Sequence, residues 1–509
     1  MQPVSSRLPD EPPDDDEDLE DTLKLRAIKV PGKTKTLEKE PAGTAQPATP
    51  GLAESSVLET ISTQKLPEIA RMKRPPETPQ PAGIVGITRG KALALVALLC
   101  MLAIQASGVG LAQFIGPQGW AYVLNGSGSA NSNGLITSVT RRLHQQTPVP
   151  GRKRTQQVTP QQFVDLLMQN MSLDQKLGQM MLVQFTGHSY SLQLSEMINQ
   201  QNVGGVLVFS VNGNIISRPQ LTGLIQQVQK DSQGNGLPLA VAIDQEGGRV
   251  DRLVNLDGSR PSAGQIGATN DPSKARDAGI QDARDLASYG FNMNLAPVVD
   301  VTSVYNSELS TRTYGNNPAI VIRMANAYLQ GLQQSGKVIG TLKHFPGLGD
   351  VSTDPHSGLP YLVRPVSQLD ALDWAPYQAL IQQGSVHAIM VTHEIVKAVD
   401  SSMPSSLSYK VVTGILRDHL GFQGVIMTDS LTMGSIANRY TAAEATVLAV
   451  EAGSDLIMGA SSPQEVGASI TALKQAITSG QISQQRIDDS VRRLLLMKYQ
   501  MGLLTIPKS

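Results

Sequence analysis

Cysteine is nearly missing from this sequence of 509 residues, which contains a single one, Cys100. One cysteine excludes a disulfide within the chain and any metal site built on several thiolates. Aromatic residues are also scarce, at 4% of the chain. A surplus of charge is lacking as well, because the formal net charge is −1 at pH 7. Without a basic excess, the chain is not expected to bind nucleic acid.

Residues 1–90 lack the apolar periodicity of a packed core. A run of acids near the start, Asp14 to Asp18, is followed by a stretch dominated by Pro, Thr, Glu and Lys. Such a segment buries too little apolar area to offset the entropy lost on ordering it. We therefore predict a disordered arm over residues 1–90.

Residues 91–115 contain no charge after Lys91. A charge-free run of about 20 residues is long enough to cross a bilayer as a helix. Cations are frequent just before this run, and the next ones after it are Arg141 and Arg142. The positive-inside rule then predicts a single-pass cell-membrane protein with a cytoplasmic N-terminus and an extracellular C-terminal domain.

Other interpretations of this apolar run fit less well. A cleaved signal peptide is expected at the start of a chain, not after 90 residues. A lipoprotein site at Cys100 is disfavoured because Leu99 precedes it where a small residue is usual. Residues 116–158 are rich in Gly, Ser, Asn, Gln and Pro, which predicts a flexible linker.

Residues 159–509 have the pattern of a globular domain. Thr159-Pro160 and the capping box that begins at Ser172 are typical helix starts. Amphipathic stretches alternate with eight short apolar runs that predict strands, at Met180–Phe185, Gly205–Phe209, Leu239–Ile243, Met293–Val299, Val338–Leu342, Ala388–Thr392, Gly424–Thr428 and Asp455–Met458. The predicted helical stretches are Asp271–Tyr289, Pro318–Gln334, Leu369–Gln383, Ser435–Ala452 and Pro463–Ser479. This alternation predicts an α/β fold with a parallel sheet, and eight strands are the number that closes a TIM-type (β/α)8 barrel. An open doubly wound sheet is the alternative, but no Gly-x-Gly-x-x-Gly turn favours it.

Charged and imidazole side chains follow several predicted strands. Asp244 comes after Ile243, Lys343 and His344 come after Leu342, and Asp429 comes after Thr428. A loop rich in glycine then leads to Asp354 and His356, a carboxylate and an imidazole two residues apart. Because barrel enzymes keep their catalytic groups at the carboxyl ends of strands, these residues predict an active site.

Four motifs in this order resemble family 3 glycoside hydrolases of the β-N-acetylhexosaminidase type. The most specific is Lys343-His344-Phe345-Pro346-Gly347-x-Gly349 with Asp354-x-His356 after a gap of four residues. The others are Asp244–Val250, Asn294–Asp300 and Gly421–Leu431. The resemblance covers about residues 160–505 and leaves residues 1–158 without a counterpart.

The resemblance implies a retaining, two-step hydrolysis of terminal β-linked N-acetylglucosamine. Asp429 matches the nucleophile that forms a covalent glycosyl-enzyme. His356 matches the acid/base and Asp354 its partner. Five residues match positions that hold the terminal sugar: Asp244, Arg252, Arg312, Lys343 and His344. No metal or cofactor is implied, and the expected partner besides the membrane is a carbohydrate.

Alternatives remain at this point. Asp429 could be a helix N-cap, and Arg252 could pair with Glu246 or Asp251 instead of substrate. Within the family, a β-glucosidase or a glycoside phosphorylase would use the same nucleophile. Two other classes are a metal-dependent hydrolase that uses histidines from different loops, His344, His356 and His393, and a sugar receptor without activity. For Asp300 and His393 we expect supporting roles, and we expect the barrel's own loop, rather than a second domain, to supply the acid/base.

Overall fold

The computed structural model describes residues 158–234, 236–302, 309–349, 351 and 358–506. Its strands include one for each of the eight apolar runs of the sequence. They are β1 (Met181–Val183), β2 (Gly205–Leu207), β3 (Ala240–Ile243), β4 (Gln245–Gly247), β5 (Val250–Asp251), β6 (Met293–Asn294), β7 (Ile339–Phe345), β8 (Tyr361–Leu362), β9 (Ala388–Val391), β10 (Ile395–Val396), β11 (Val425–Thr428) and β12 (Ile457–Met458).

Eight of these strands form one sheet in the order β11, β9, β7, β6, β3, β2, β1, β12, and all neighbours are parallel. The two end strands meet at Met427 and Leu456, and the Thr428 N–H donates to the Leu456 carbonyl at 3.0 Å. The sheet is therefore a nearly closed parallel barrel, as the alternation of strands and helices predicts. Two small side sheets, β4 with β5 and β8 with β10, lie outside this barrel sheet.

The α-helices alternate with the barrel strands along most of the described chain. They are α1 (Pro160–Met168), α2 (Leu173–Gln179), α3 (Leu192–Asn199), α4 (Arg218–Gly234), α5 (Val254–Asp257), α6 (Ala263–Ala268), α7 (Pro272–Tyr289), α8 (Pro318–Leu332), α9 (Val366–Gln368), α10 (Ala375–Gln382), α11 (Gly434–Ala437), α12 (Ala442–Ala452), α13 (Pro463–Thr478) and α14 (Gln484–Gln500). Short 3₁₀ turns lie at Ser210–Asn212 and Ser405–Leu407, and π-helical segments at Leu369–Asp373 and Lys410–His419. The residues of β1, β2, β3, β6, β7, β9, β11 and β12 are all buried, so the apolar core fills the barrel and the layer under the helices.

The helix starts predicted from the sequence are confirmed. Thr159 accepts from the Gln162 N–H at 3.2 Å and Ser172 accepts from the Gln175 N–H at 3.2 Å, each within a capping box. Each box gives an acceptor to two backbone N–H groups at the helix start, which would otherwise have no partner within the helix.

Several predicted boundaries are wrong, among them the strand predicted over Met293–Val299, which covers only Met293–Asn294. The strand predicted to end at Leu342 continues to Phe345, because the Lys343 and Phe345 carbonyls accept from Val299 and Thr392 at 2.8 Å each. The helix predicted over Ser435–Ala452 is two helices, because Thr441 forms a capping box that starts α12 anew. Lys343 and His344 thus belong to β7 itself, which fixes their backbones more firmly than a loop would.

The predicted arm and membrane helix, and residues 116–157 of the predicted linker, lie outside the described residues. Across residues 158–506, apart from the gaps given above, no helix combines the length and the apolar character that crossing a bilayer requires.

Lys498 on α14 is a buried lysine that affects stability. It is 1% exposed, and its Nζ donates to Gln179 Oε1 at 2.6 Å. Burial lowers its pKa from 10.5 to about 7. Between these values the unfolded chain binds a proton that the folded chain does not, so the free energy of unfolding rises with pH, by at most about 1.4 kcal/mol per pH unit.

We expect Lys498→Met to raise the free energy of unfolding at pH 7 and to flatten its rise between pH 7 and pH 9. The methionine fills the same buried space without a charge to desolvate. Urea unfolding at pH 7, 8 and 9 measures both effects, with Lys474→Met as the control because Lys474 is 42% exposed. Equal pH slopes in the wild type and Lys498→Met would contradict the prediction.

Candidate active site

Side chains from three strands meet at the mouth of the barrel, where the strands end. Asp244 follows β3, Lys343 lies in β7, and Asp429 follows β11. Lys343 Nζ lies 2.5 Å from Asp244 Oδ1, and the lysine side chain is 3% exposed. Burial lowers the pKa of Lys343, but the Asp244 and Glu246 carboxylates outweigh it and raise the pKa above its usual value. A buried, permanently charged ammonium beside a carboxylate can bind sugar hydroxyls through charge-assisted hydrogen bonds.

Glu246 joins two of the residues predicted to hold the sugar. Its two oxygens accept from Arg312 Nε and Nη2, each at 2.8 Å, and Oε1 also lies 2.7 Å from Lys343 Nζ. Burial raises the pKa of Glu246, but the two cations outweigh it and hold the pKa well below its usual range. Arg312 and Lys343 are therefore fixed by one buried carboxylate, and neither is free to reorient.

His344 is held by Asp300, for which the sequence predicts a supporting role. His344 Nδ1 lies 2.7 Å from Asp300 Oδ2, and the other Asp300 oxygen accepts from the Leu348 N–H at 2.7 Å. On the far side of the ring, Nε2 lies 3.4 Å from Arg312 Nη2. Asp300 therefore sets the direction of the imidazole and ties it to the following loop.

Asp429 is a half-buried carboxylate at the end of β11. Its N–H donates to the Val391 carbonyl at 2.8 Å, and its Oδ1 accepts from the Ser430 N–H at 2.7 Å. Burial raises the pKa of Asp429, but His393, His344 and other nearby donors outweigh it and lower the pKa below its ordinary value. The next helix, α11, begins only at Gly434, so Asp429 is not a helix N-cap. An ionised carboxylate fixed at a strand end is suited to nucleophilic attack.

Arg252 lies apart from the ion pairs at the mouth. Its guanidinium lies over the Phe209 ring, 4.7 Å from the centroid, and its Nε has no hydrogen-bond partner in the described part of the chain. The alternative partners are occupied: Asp251 accepts from Gln245 and Arg260, and Glu246 binds Arg312 and Lys343. This leaves donor capacity on Arg252, as its predicted contact with a sugar requires.

His393 contacts the residue after Asp429. Its Nε2 lies 2.9 Å from the Ser430 carbonyl, and its Nδ1 lies 2.7 Å from Ser406 Oγ. Both nitrogens are thus engaged with the protein, which favours a positioning role over metal ligation. Among the described residues, no group of three His, Cys, Asp or Glu side chains is arranged to hold a metal ion.

Glu394, next to His393, is a functional candidate that sequence reasoning missed. It is fully buried, and neither carboxyl oxygen has a hydrogen-bond partner among the residues that the structure describes. Burial raises the pKa of Glu394 well above its usual value, and the nearby Asp300, Asp373 and Asp429 carboxylates raise it further. Burial therefore favours the neutral form of Glu394 in the neighbourhood of Asp429.

The predicted acid/base pair, Asp354 and His356, lies outside the described residues.

Two glycines of the loop after β7 are at positions that exclude a side chain. Gly347 has a φ of +134°, and a Cβ on Gly349 would lie 2.0 Å from the Val301 carbonyl oxygen. Only glycine fits at these two positions, so the chain after β7 packs against the loop after β6.

Comparison with known protein families shows which family the chain belongs to. The model for the glycosyl hydrolase family 3 N-terminal domain matches residues 172–497. The chain belongs to glycoside hydrolase family 3. The match includes Asp244, Arg252, Arg312, Lys343, His344 and Asp429, and the family 3 assignment makes the chain a glycoside hydrolase.

Relatives of this family 3 hydrolase include β-hexosaminidase LpqI of Mycobacterium tuberculosis. The two are 34% identical over 331 residues, which are 64% of this chain and 82% of LpqI. Beta-hexosaminidase A of Pseudoalteromonas piscicida is 30% identical over 336 residues, covering 60% of this chain and 55% of that one. Among solved structures, a family 3 β-N-acetylglucosaminidase from Paenibacillus sp. str. FPU-7 is 35% identical with a TM-score of 0.62, over 67% of this chain and 65% of that chain.

Two supporting residues of the family 3 site had little signal in the sequence. Glu246 stands in the Asp244–Val250 motif, but its partner Arg312 is 66 residues away along the chain. Glu394 follows a buried strand and resembles any polar residue at a strand end. The sequence signal that could have indicated Glu394 was its position next to His393, shortly after β9.

Proposed function

We propose that this chain is a retaining exo-β-N-acetylhexosaminidase that removes terminal β-linked N-acetylglucosamine from cell-wall or related glycans. The main observation is the Asp429 carboxylate, which is kept ionised at one side of the barrel mouth. Asp244, which pairs with Lys343, follows the strand on the opposite side of the barrel. The names of the relatives, β-hexosaminidase and β-N-acetylglucosaminidase, support the substrate class.

In the first step, an Asp429 oxygen attacks the anomeric carbon from below. The bond from that carbon to the leaving oxygen breaks, and its electron pair goes to the leaving oxygen, which takes a proton from His356. In the second step, a water oxygen attacks the same carbon and gives a proton to His356. The bond to Asp429 then breaks and its electron pair returns to the carboxylate, so the sugar keeps its configuration.

Asp354 stabilises the protonated form of His356 in this scheme. A histidine exchanges protons near neutral pH without a large pKa shift, which suits a group that acts as acid and then as base. General acid/base catalysis of this kind is worth roughly 10²–10⁴-fold in rate.

The terminal sugar lies across the mouth of what we take to be a TIM-type (β/α)8 barrel. Asp244 and Lys343 bind hydroxyls at the end of the sugar remote from Asp429. Arg252, Arg312 and His344 complete its surroundings. The fixed charges around Glu246 favour this assignment because their geometry needs no rearrangement when the sugar binds.

For the remainder of the chain, we propose a membrane-anchored protein. Residues 1–90 form a cytoplasmic arm, residues 91–115 a single-pass helix, and residues 116–158 a linker to the extracellular barrel. The charge-free run and the cations before it support this orientation. Recovery of the protein in the soluble fraction after alkaline extraction of membranes would contradict the anchor.

The activity is tested with the full chain in mild detergent and a panel of 4-nitrophenyl β-glycosides, with and without phosphate. We expect kcat/KM for the N-acetylglucosaminide to exceed that for the glucoside by about 10²-fold or more. The first product should have the β configuration. A faster glucoside would indicate a β-glucosidase, and a sugar 1-phosphate formed with phosphate would indicate a phosphorylase.

A further inference from the structure

Three polar side chains form a hydrogen-bonded row at the mouth, which we call the polar rim: Asn212, Gln184 and Ser430. Asn212 Nδ2 donates to Gln184 Oε1 at 3.3 Å, and Gln184 Nε2 donates to Ser430 Oγ at 3.3 Å. All three side chains are partly exposed. Gln184 directly follows β1, Asn212 follows β2, and Ser430 follows the nucleophile. None of the three is among the residues that the proposed mechanism uses.

The strand order gives the polar rim a definite side of the mouth. Around the barrel, β11 with Asp429 and β3 with Asp244 are opposite each other. Strands β9, β7 and β6 lie between them on one flank, with Lys343 and His344. Strands β2, β1 and β12 lie on the other flank, and Asn212 and Gln184 belong there. A sugar that extends from Asp429 to Asp244 therefore has one ring edge facing Lys343 and the other facing the polar rim.

The handedness of the barrel decides which ring edge faces which flank. Strand-to-strand crossovers are right-handed, so the strands run counterclockwise in chain order when viewed into the mouth.

The orientation of the sugar follows from its stereochemistry. The leaving group of a β-glycoside points to solvent when the nucleophile lies below the ring. The ring carbons of a D-hexopyranoside then run clockwise in the same view. With carbon 1 over Asp429 and carbon 4 toward Asp244, carbons 2 and 3 face β9, β7 and β6. Carbon 5 and its hydroxymethyl group face the polar rim.

The hydrogen bonds left open on the polar rim match a primary hydroxyl. Among the described residues, Gln184 Nε2 donates only to Ser430, so one of its N–H groups is available. Asn212 Oδ1 accepts no hydrogen bond from the described residues. A hydroxyl can accept from that N–H and donate to that oxygen at the same time.

We propose that Gln184 and Asn212 bind the primary hydroxyl on carbon 6 of the terminal sugar and so select hexosaminides that have it. This inference rests on the proposed function, because it needs a β-configured hexose over Asp429. The competing explanation is that the polar rim only supports Ser430, and through it Asp429. That explanation predicts no dependence on the carbon 6 hydroxyl.

The test compares the full chain with its Gln184→Leu variant on two substrates, 4-nitrophenyl N-acetyl-β-D-glucosaminide and its 6-deoxy counterpart. We expect the wild type to prefer the 6-hydroxy substrate by about 10–100-fold in kcat/KM. Gln184→Leu should lose about 10-fold or more on the 6-hydroxy substrate and less than about threefold on the 6-deoxy one. Asn212→Ala should show the same pattern, and Gln485→Leu, at an exposed position, is the control.

The outcomes distinguish a failure of the proposed carbon 6 contact from a failure of the proposed function. Equal losses on both substrates, or no loss on either, would overturn the inference while leaving the proposed function intact. No turnover of either substrate by the wild type would refute the proposed function and the inference with it. Loss confined to the 6-hydroxy substrate in both variants supports both.

Discussion

Asp429→Asn is expected to lower kcat for the N-acetylglucosaminide on the order of 10⁴-fold or more. The amide is nearly the same size but cannot form the covalent ester, so the first step is lost while the site keeps its shape. Neighbouring groups keep the wild-type carboxylate ionised, which makes the loss of charge at this position the main change. Steady-state kinetics with the aryl glycoside measures the effect.

Asp489→Asn is the matched control, because Asp489 is a partly exposed carboxylate on α14 that pairs with Arg492. A second measurement identifies the nucleophile directly: a fluorinated aryl glycoside that slows the second step should leave its sugar attached to Asp429. A labelled peptide from another part of the chain, or an Asp429→Asn variant within about tenfold of wild type, would refute the assignment.

Glu246→Gln is expected to lower kcat/KM about 10²-fold or more and also to destabilise the fold. The glutamate neutralises two cations in a nearly dry site, and removing one member of such a network costs roughly 3–5 kcal/mol. Arg312 and Lys343 would then lose the carboxylate that aims them at the sugar. The measurements are kcat and KM for the aryl glycoside and the free energy of unfolding in urea.

The pH dependence of Glu246→Gln gives a further check. The folded-state pKa of Glu246 is depressed, so its contribution to stability is present above the unfolded value of 4.5 and is lost as the pH falls. The stability gap between the wild type and Glu246→Gln should therefore stay constant as the pH falls from 7 to about 5 and shrink below the unfolded value of 4.5. Glu451→Gln, at an exposed position on α12, is the control. A wild-type KM together with unchanged stability would contradict the prediction.

The barrel could be predicted from the sequence because each strand is a short apolar run bounded by polar residues. Burial on both faces makes a strand such as Ala240–Ile243 uniformly apolar, which is easy to recognise. The boundaries of β7 were harder, because Lys343 and His344 look like loop residues. Both can lie in the buried strand because residues far away in sequence bind their side chains: Asp244 and Glu246 bind Lys343, and Asp300 binds His344.

The candidate site was predictable only as a set of residues at strand ends. Asp244, Lys343 and Asp429 could be placed at one face of the barrel because parallel strands share a direction. The ion pairs around these residues could not be predicted. The pairing of Arg312 with Glu246, for example, depends on how the loop after β6 approaches β4. The break between α11 and α12 was missed for a local reason. Thr441 and Glu444 form a capping box inside what looks like one amphipathic stretch.

The buried Glu394 has a consequence for measuring motion inside this protein. In its protonated form, the carboxyl group is sealed from solvent and its oxygens have no hydrogen-bond partner among the described residues, so its hydrogen can be replaced by deuterium only when the surrounding core opens. The rate of that isotope exchange, followed by infrared spectroscopy of the carboxylic acid, reports how often the core around Glu394 opens. Glu394 thus reports on motions in the neighbourhood of Asp429 without an added probe.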